Sequence, residues 1–411
     1  MAALESHVII GAGPAGAKAA ETLREEGFTG GVLLVGKEPE RPYERPPLSK
    51  KVLLGQADPE SVYLHEESWY RDRDITLLTD TAATALDREA RKVSLADGSE
   101  LRYDRLLLAT GSSPRRLRVP GTALDGVRTL RTLADARALH GLLRGGDRRV
   151  VVVGAGWIGL EVAAAARQYG NRVTLVEAEA TPLYCPLGPE AGKIFADLHR
   201  SKGVECVFED GLFAIRGEGS VDHVLTSRGV ELPADLVVLA VGVVPEDGLA
   251  RAAGLRTDNG VVVDSALRTE DPRIFAAGDV ACFYHPLYRR HLRVEHWANA
   301  LGSGSAAARS MLGRNVSYDR IPYYFTDQYE LSMEFSGHAD PGSYDRVVVR
   351  GDVSSGAYLV FWLSGDHLVA AMSVNTWEVT DILQFLIRSG TPVDPDALSE
   401  PRRPLAGLIA G

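Results

Sequence analysis

SHVIIGAGPAG at residues 6–16 and RVVVVGAGWIG at residues 149–159 decide the fold. Each is a short apolar run feeding a glycine-rich turn and then an Ala-rich stretch, closed by Gly27 in the first copy and Gly170 in the second. That order predicts strand, turn and helix, with a glycine at each helix stop. A second apolar strand follows in each copy, at residues 32–35 and 173–176. Hairpin-like stretches come next, 93–103 around Asp97-Gly98 and 224–232 around Gly229. Each half closes on an apolar strand with a terminal glycine, LLLATG at 106–111 and VVLAVG at 237–242. Two unrelated domains would not share this order throughout, so the chain carries one plan twice.

Past residue 245 the pattern changes. RIFAAGD at 273–279 is one more buried strand running into Gly-Asp. Alternating stretches at 346–351, 358–363 and 368–374 predict an antiparallel sheet from about residue 321 onward. A helix over 379–389 stops at Gly390, and the proline-rich tail 392–404 is expected to lie over the surface. At 411 residues the chain exceeds one hydrophobic core. The expected class is α/β, with two Rossmann-like domains and a C-terminal α+β domain.

The net charge of −10 argues against bulk nucleic-acid binding, while leaving room for a local basic patch. Cys185, Cys206 and Cys282 are odd in number and form no C-x-x-C, so a disulfide scaffold is not expected and a reducing cytoplasm fits. The apolar run at 7–12 starts too early and breaks too soon for a signal peptide. The longest later run, 150–166, carries Glu161 and three glycines, so no membrane-spanning helix is expected.

Gly11, Gly13 and Gly16 form one G-x-G-x-x-G, and Gly154, Gly156 and Gly159 form another. The chemistry of a dinucleotide site needs glycine three times: for the tight turn, for backbone approach to the pyrophosphate, and for helix packing on the strand. The helix N-terminus then turns its unpaired N–H groups toward the diphosphate. One such motif is a weak signal and could be a ligand-free turn; two, each between a strand and a helix, are strong. Glu177 directly follows the second strand of the second copy, where it can accept hydrogen bonds from both adenosine ribose hydroxyls and repel a 2′-phosphate. That copy is expected to take NADH rather than NADPH; Arg172, which precedes the strand, does not reverse the preference. In the first copy the equivalent position is Gly36, followed by Lys37 and Glu38, and Glu38 is the candidate ribose partner.

These residues, together with ERPPLSK at 44–50, AAGD at 276–279 and EHWANA at 295–300, resemble one family along essentially the whole chain. It is the FAD-dependent NADH:ferredoxin reductases of oxygenase systems, of the putidaredoxin reductase and biphenyl dioxygenase reductase type, with apoptosis-inducing factor a more distant relative. The resemblance implies a glutathione-reductase-like fold: a discontinuous FAD domain at 1–112 and 245–320, an inserted NAD domain at 113–244, and an interface domain at 321–411. It assigns the first glycine motif to FAD and the second to NADH. Asp279 is then expected to hydrogen-bond the ribityl chain, and Arg45 and Arg131 to approach the flavin or its pyrophosphate. Trp297 is expected beside the isoalloxazine, with Glu295 and His296 along the same edge. Further FAD contacts are implied for Pro14, Ala15, Gly36, Lys37 and Ala83, for Ala109, Thr110 and Gly111, and for Gly278 and Ala300. Trp157, Ile158 and Gly242 join the NAD site.

The same resemblance places Lys50 near flavin N5, paired with Glu161. The pairing makes independent sense, because Glu161 is expected on the first turn of the second motif's helix, facing a low-dielectric cleft where an unpaired carboxylate is costly. The plain alternatives are a solvated Lys50 beside the Pro46-Pro47 turn and a Trp297 that only packs in a core. Two departures stand out: the family often has tryptophan where YYFTDQY (323–329) has Phe325, and Lys37 replaces an adenosine-site acid.

The implied reaction is hydride transfer from NADH to FAD, then single-electron transfer to a ferredoxin-type iron–sulfur protein serving an oxygenase or cytochrome P450; the cofactor carries the chemistry. A disulfide reductase would need a cysteine pair near ERPPLSK, and the chain has no cysteine before Cys185. A flavin-dependent NADH oxidase that reduces oxygen directly, and a flavoprotein with an interaction role like apoptosis-inducing factor, remain as alternatives. Arg289, Arg290, His291 and Arg293 form a basic run that would complement an acidic ferredoxin, or else an ordinary solvated loop.

Overall fold

The computed structural model describes residues 5–408, so the outermost residues of the expected domain spans, 1–4 and 409–411, lie outside the described residues. The chain divides into two compact units. One comprises Met1–Pro46, Glu60–Ser113 and Val243–Arg320; the other comprises Pro47–Pro59, Pro114–Gly242 and Ile321–Gly411.

The first unit is built on a parallel five-stranded sheet in the order Ile274–Ala276, Arg105–Leu108, Ser6–Ile10, Gly31–Val35, Ile75–Leu78. In register, Ile9 stands between Leu34 and Leu107. Val8, Ile9, Leu34, Leu106 and Leu107 are fully buried, which is why these strands read as continuous apolar runs rather than alternating ones. The helix Pro14–Glu25 starts with proline at its first position, where the missing N–H costs nothing, and buries Ala17, Ala19, Ala20 and Leu23. Gly304, on the helix Trp297–Met311, packs so tightly on it that a Cβ there would lie 2.3 Å from Ala15 O. The hairpin expected around Gly98 is part of a three-stranded antiparallel sheet of Ala83–Asp87, Lys92–Leu95 and Glu100–Arg102.

The second unit repeats the plan. Its parallel sheet runs Glu205–Val207, Arg172–Val176, Arg149–Val153, Leu236–Leu239, Val127–Arg128, and its antiparallel sheet is Leu212–Arg216, His223–Thr226, Glu231–Pro233. The edge strand beyond the last copy-specific strand comes from later in the chain in the first unit (Ile274–Ala276) and from earlier in the second (Val127–Arg128). The second unit also holds the antiparallel sheet Tyr323–Gln328, Leu331–Gly337, His367–Val374, Tyr358–Ser364, Arg346–Arg350. One hydrophobic core joins the two sheets: Trp362, Phe335 and Met372 belong to the same cluster as Leu187, Phe195 and Val152. Trp362 Nε1 satisfies its donor on Leu187 O at 3.0 Å.

Three features differ from the sequence reading. Two more strands, Tyr323–Gln328 and Leu331–Gly337, precede the three expected, and their buried polar residues concealed them. The helix Tyr184–Ser201 bends at Gly188 (φ 74°), and this kink with Pro189 breaks the periodicity that would have marked it. The tail does not simply cover the surface. Asp394 caps a helix over Pro395–Ser399 that buries Ala397 and Leu398, and Arg350 donates to the carbonyls of Leu398, Pro401 and Arg403. Pro395 marks the start of this helix rather than a loop. Among the described residues no helix is long and apolar enough to cross a membrane.

Candidate functional site: two glycine cradles and a buried ion pair

The six motif glycines are not equivalent, and the difference tests for a ligand. A Cβ on Gly11 would lie 2.0 Å from Ala109 O, and one on Gly16 would lie 1.9 Å from Gly11 O. Gly154 and Gly159 repeat this, at 2.4 Å from Ala240 O and 2.0 Å from Gly154 O. Gly11 (φ 114°) and Gly154 (φ 98°) also adopt backbone angles that disfavour side chains. The protein's own backbone therefore demands four of the six. Gly13 and Gly156 are different: a Cβ on either meets no heavy atom within 4 Å. Their angles, φ −81° with ψ −174° and φ −76° with ψ −175°, suit any residue. Each is the N-cap of its helix. The fold does not explain glycine at these two places, whereas backbone approach by a pyrophosphate does. FAD at the first cradle and NADH at the second fit the residues present.

The first cradle and its neighbours lie within the first unit. Gly278 (φ 75°) abuts the cradle, since a Cβ on it would come within 3.0 Å of the Ala15 Cβ. This sets Asp279 beside the cradle; its Oδ2 accepts from Ser112 Oγ at 2.7 Å. Pro14 and Ala15 open the helix, and Ala109, Thr110 and Gly111 follow the neighbouring strand. Gly36 approaches the same turn, a Cβ on it lying 2.7 Å from that of Ala12. Glu38, the candidate ribose acid, accepts from Tyr43 Oη at 2.5 Å and Arg45 Nη2 at 2.6 Å. Lys37 pairs instead with Glu246 at 3.6 Å. Sequence reading missed Glu246, whose main chain is held on both sides: Thr110 Oγ1 donates to Glu246 O at 2.7 Å and Glu246 N donates to Gly111 O at 2.9 Å. Ala83 begins a strand of the antiparallel sheet, opposite Leu95. His296 caps the helix Trp297–Met311, its Nδ1 accepting from Ala298 N, so Trp297 is the first helical residue; Ala300 is buried one turn on. Glu295 binds Arg293 at 2.5 Å, and Arg293 also donates to Asp279 O. Arg293 is thus an internal ligand, 10% exposed, while Arg289, Arg290 and His291 stand exposed on the hairpin before it.

The second cradle, in the second unit, has Glu177 in place. Its Oε2 accepts from Ala155 N at 2.6 Å and its Oε1 from Glu179 N at 3.1 Å, so the carboxylate is aimed at the glycine turn. Trp157 opens the helix Trp157–Gln168 and stacks on Tyr324, with centroids 6.4 Å apart and planes 19° apart; Ile158 beside it is exposed. Gly242 takes φ 88°. Arg131 precedes a capped helix, Asp135 Oδ2 accepting from its backbone N at 3.0 Å.

Lys50 and Glu161 also lie in this unit. Lys50 Nζ is 2.8 Å from Glu161 Oε1, with side chains 13% and 2% exposed. Glu161 is the fifth residue of its helix, so it sits on the second turn rather than the expected first. Thr326 Oγ1 donates to Glu161 Oε1 at 2.6 Å, and Ser49 Oγ donates to the other carboxylate oxygen. Lys50 also lies 5.1 Å from the centre of the Phe325 ring, a cation–π distance. Sequence spacing does not connect Ser49, Thr326 and Glu161, which is why the two hydroxyls escaped notice.

Comparison with known proteins shows the family. Residues 5–304 match the family described as pyridine nucleotide-disulphide oxidoreductase, and residues 323–409 match the reductase C-terminal domain. The chain is 38% identical to putidaredoxin reductase of Pseudomonas putida, over 100% of this chain and 98% of that protein. It is 40% identical to the ferredoxin–NAD(+) reductase component of the anthranilate 1,2-dioxygenase system of Burkholderia cepacia, over 96% and 97%. Among solved structures, the covalent putidaredoxin reductase–putidaredoxin complex matches with a TM-score of 0.95 at 38% identity, covering 99% of each chain. The chain belongs to the pyridine nucleotide-disulphide oxidoreductase family, in the branch that carries a reductase C-terminal domain.

Proposed function

We propose that the chain is an NADH-dependent ferredoxin reductase, passing electrons from NADH through FAD to a ferredoxin-type iron–sulfur protein of an oxygenase or cytochrome P450 system. The observation that carries this reading is the full-length likeness to reductases named for that task. FAD, when bound, accepts the hydride of NADH and releases electrons one at a time. The chain's residues do the rest. The Pro14–Glu25 helix N-terminus and Asp279 would hold the flavin nucleotide, with Arg45, Arg131 and Trp297 about it. The Trp157–Gln168 helix and Glu177 would hold NADH. Lys50 would place a positive charge where negative charge gathers, kept there by Glu161. Arg289 and Arg290 would steer an acidic partner. We retain the division into FAD, NAD and interface domains, and a cytoplasmic location, as part of this reading.

Disulfide chemistry, which the family description includes, lacks its reagent here. Cys185, Cys206 and Cys282 are free thiols, and burial raises the pKa of all three, disfavouring the thiolate. The test is NADH-dependent cytochrome c reduction with and without an added [2Fe–2S] ferredoxin. Strong ferredoxin dependence is expected. A ferredoxin-independent rate matched by oxygen consumption would identify an NADH oxidase instead.

A further inference from the structure

We infer that Thr326 and Gln328, backed by His199, are positioning residues for electron entry, acting by holding the Glu161 carboxylate aimed at Lys50. The inference deepens the proposed function and rests on its reading of Lys50 as a counter-charge. Its basis is a chain of hydrogen bonds inside the second unit. His199 Nε2 meets Gln328 Oε1 at 2.9 Å, Gln328 Nε2 meets Thr326 Oγ1 at 3.1 Å, and Thr326 Oγ1 meets Glu161 Oε1 at 2.6 Å. Glu161, Thr326, Gln328 and His199 are all buried, so water does not compete for these groups.

The direction of every bond follows from the acceptor at its end. Glu161 receives Lys50, Ser49 and Thr326, and all three can donate. The Lys50 ammonium can only donate, and it shares Oε1 with the Thr326 hydroxyl, so both point their protons at that oxygen. Thr326 has one hydroxyl proton, and giving it to Glu161 leaves an oxygen that can only accept. Gln328 must therefore present its NH2 to Thr326 and its carbonyl oxygen to His199. That fixes His199 as the Nε2–H tautomer, with its Nδ1 left bare. Burial keeps the His199 imidazole below its ordinary pKa, in agreement with a neutral ring. Each side chain thus prevents the next from turning, and the series ends on the oxygen that holds Lys50. A flipped Gln328 would set two acceptors against each other and release Thr326 from Glu161.

Stopped-flow reduction of the flavin by NADH separates the limiting rate from apparent NADH affinity, and a redox titration gives the flavin midpoint potential. Thr326→Val is expected to lower the limiting rate by about 10-fold, the scale of one misplaced hydrogen bond, with unchanged apparent Kd for NADH and a more negative potential. Thr326→Ser, which keeps the donor, is expected to recover the rate that Thr326→Val loses. If Thr326→Val does not retain flavin, Gln328→Met, which keeps length and removes the amide, carries the same test. Wild-type rate and potential in Thr326→Val, or a Thr326→Ser enzyme as slow as Thr326→Val, overturn the inference. So does a further loss when Thr326→Val is added to Lys50→Met, because the hydroxyl would then act by another route. A Lys50→Met enzyme with wild-type rate and potential overturns the counter-charge reading as well. A slow Lys50→Met beside a wild-type Thr326→Val overturns this inference alone.

Discussion

Lys50 and Glu161 meet at 2.8 Å inside one compact unit, although the segment that carries Lys50 leaves the sequence between two stretches of the other. Neither charge is a good occupant of that place alone, because a buried ion that loses its partner keeps its desolvation cost. Lys50→Met is expected to slow flavin reduction by NADH by about 10–1,000-fold, as for one lost electrostatic stabiliser. Glu161→Gln is expected to slow it less. Since both act on one transition state, the double mutant should fall short of the combined losses. Stopped-flow traces of the three variants decide it; fully additive losses would mean the residues act independently.

The glycine cradles predict two kinds of failure. Gly11→Ala and Gly154→Ala would drive a Cβ into the backbone carbonyl of Ala109 or Ala240, at positive φ. Both are expected to lower the thermal unfolding temperature or prevent folding. Gly13→Ala and Gly156→Ala have room and ordinary backbone angles. They are expected to fold normally, the first with reduced FAD content and the second with weaker NADH binding. Flavin-to-protein absorbance ratios and NADH titrations measure this. A Gly13→Ala protein that holds FAD as tightly as wild type would show that the middle glycine does not face the cofactor.

Why the cradles were legible in the sequence and the Glu161 network was not has a physical reason. A strand, three glycines and a helix are contiguous, so their spacing encodes their geometry. The carboxylate at 161, the hydroxyl at 49, the strand pair at 326 and 328 and the imidazole at 199 come from four separate elements, and only packing brings them together. Glu246 escaped notice for the same reason: the chain returns it to Thr110, Gly111 and Lys37 after the whole second copy. Thr326 and Gln328 flank the exposed Asp327, and in the sequence Thr-Asp-Gln is one continuous polar run that reads as wet rather than buried. In the tail, Arg350 binds three carbonyls that composition could not pair with it.

Glu177 is already aimed at the second cradle by the amides of Ala155 and Glu179. A preoriented carboxylate there should favour a ribose with free hydroxyls and repel a 2′-phosphate. NADH is expected to exceed NADPH in kcat/KM by roughly 10–100-fold, the scale of about 1–3 kcal/mol for a lost charged hydrogen bond or a buried repulsion. Glu177→Ala should narrow the gap mainly by impairing NADH. Steady-state kinetics with both nucleotides test this, and wild-type NADH kinetics in the variant would remove Glu177 from the ribose.

His7 and His199 make stability depend on pH in one direction. Burial holds both imidazoles below their ordinary pKa. Above about pH 7 both are neutral in the folded and unfolded chains alike, so they add no pH dependence. As pH falls below about 6.5, the unfolded chain takes up protons that the folded chain refuses, and stability declines by up to about 1.4 kcal/mol per pH unit for each histidine. The decline ends only where the folded rings themselves accept protons. At His7 the carboxylate of Glu5, 3.1 Å from Nε2, opposes the effect of burial. His199 has only the neutral Gln328 as its hydrogen-bond partner, so its share should be larger. His199→Gln removes one titration and is expected to flatten the loss between pH 6.5 and 5.5 relative to wild type. Urea unfolding of the holoprotein, followed by tryptophan fluorescence at pH 7.5, 6.5 and 5.5, measures the slopes. Parallel slopes in the two proteins would show that the folded chain accepts a proton at His199 as readily as the unfolded one.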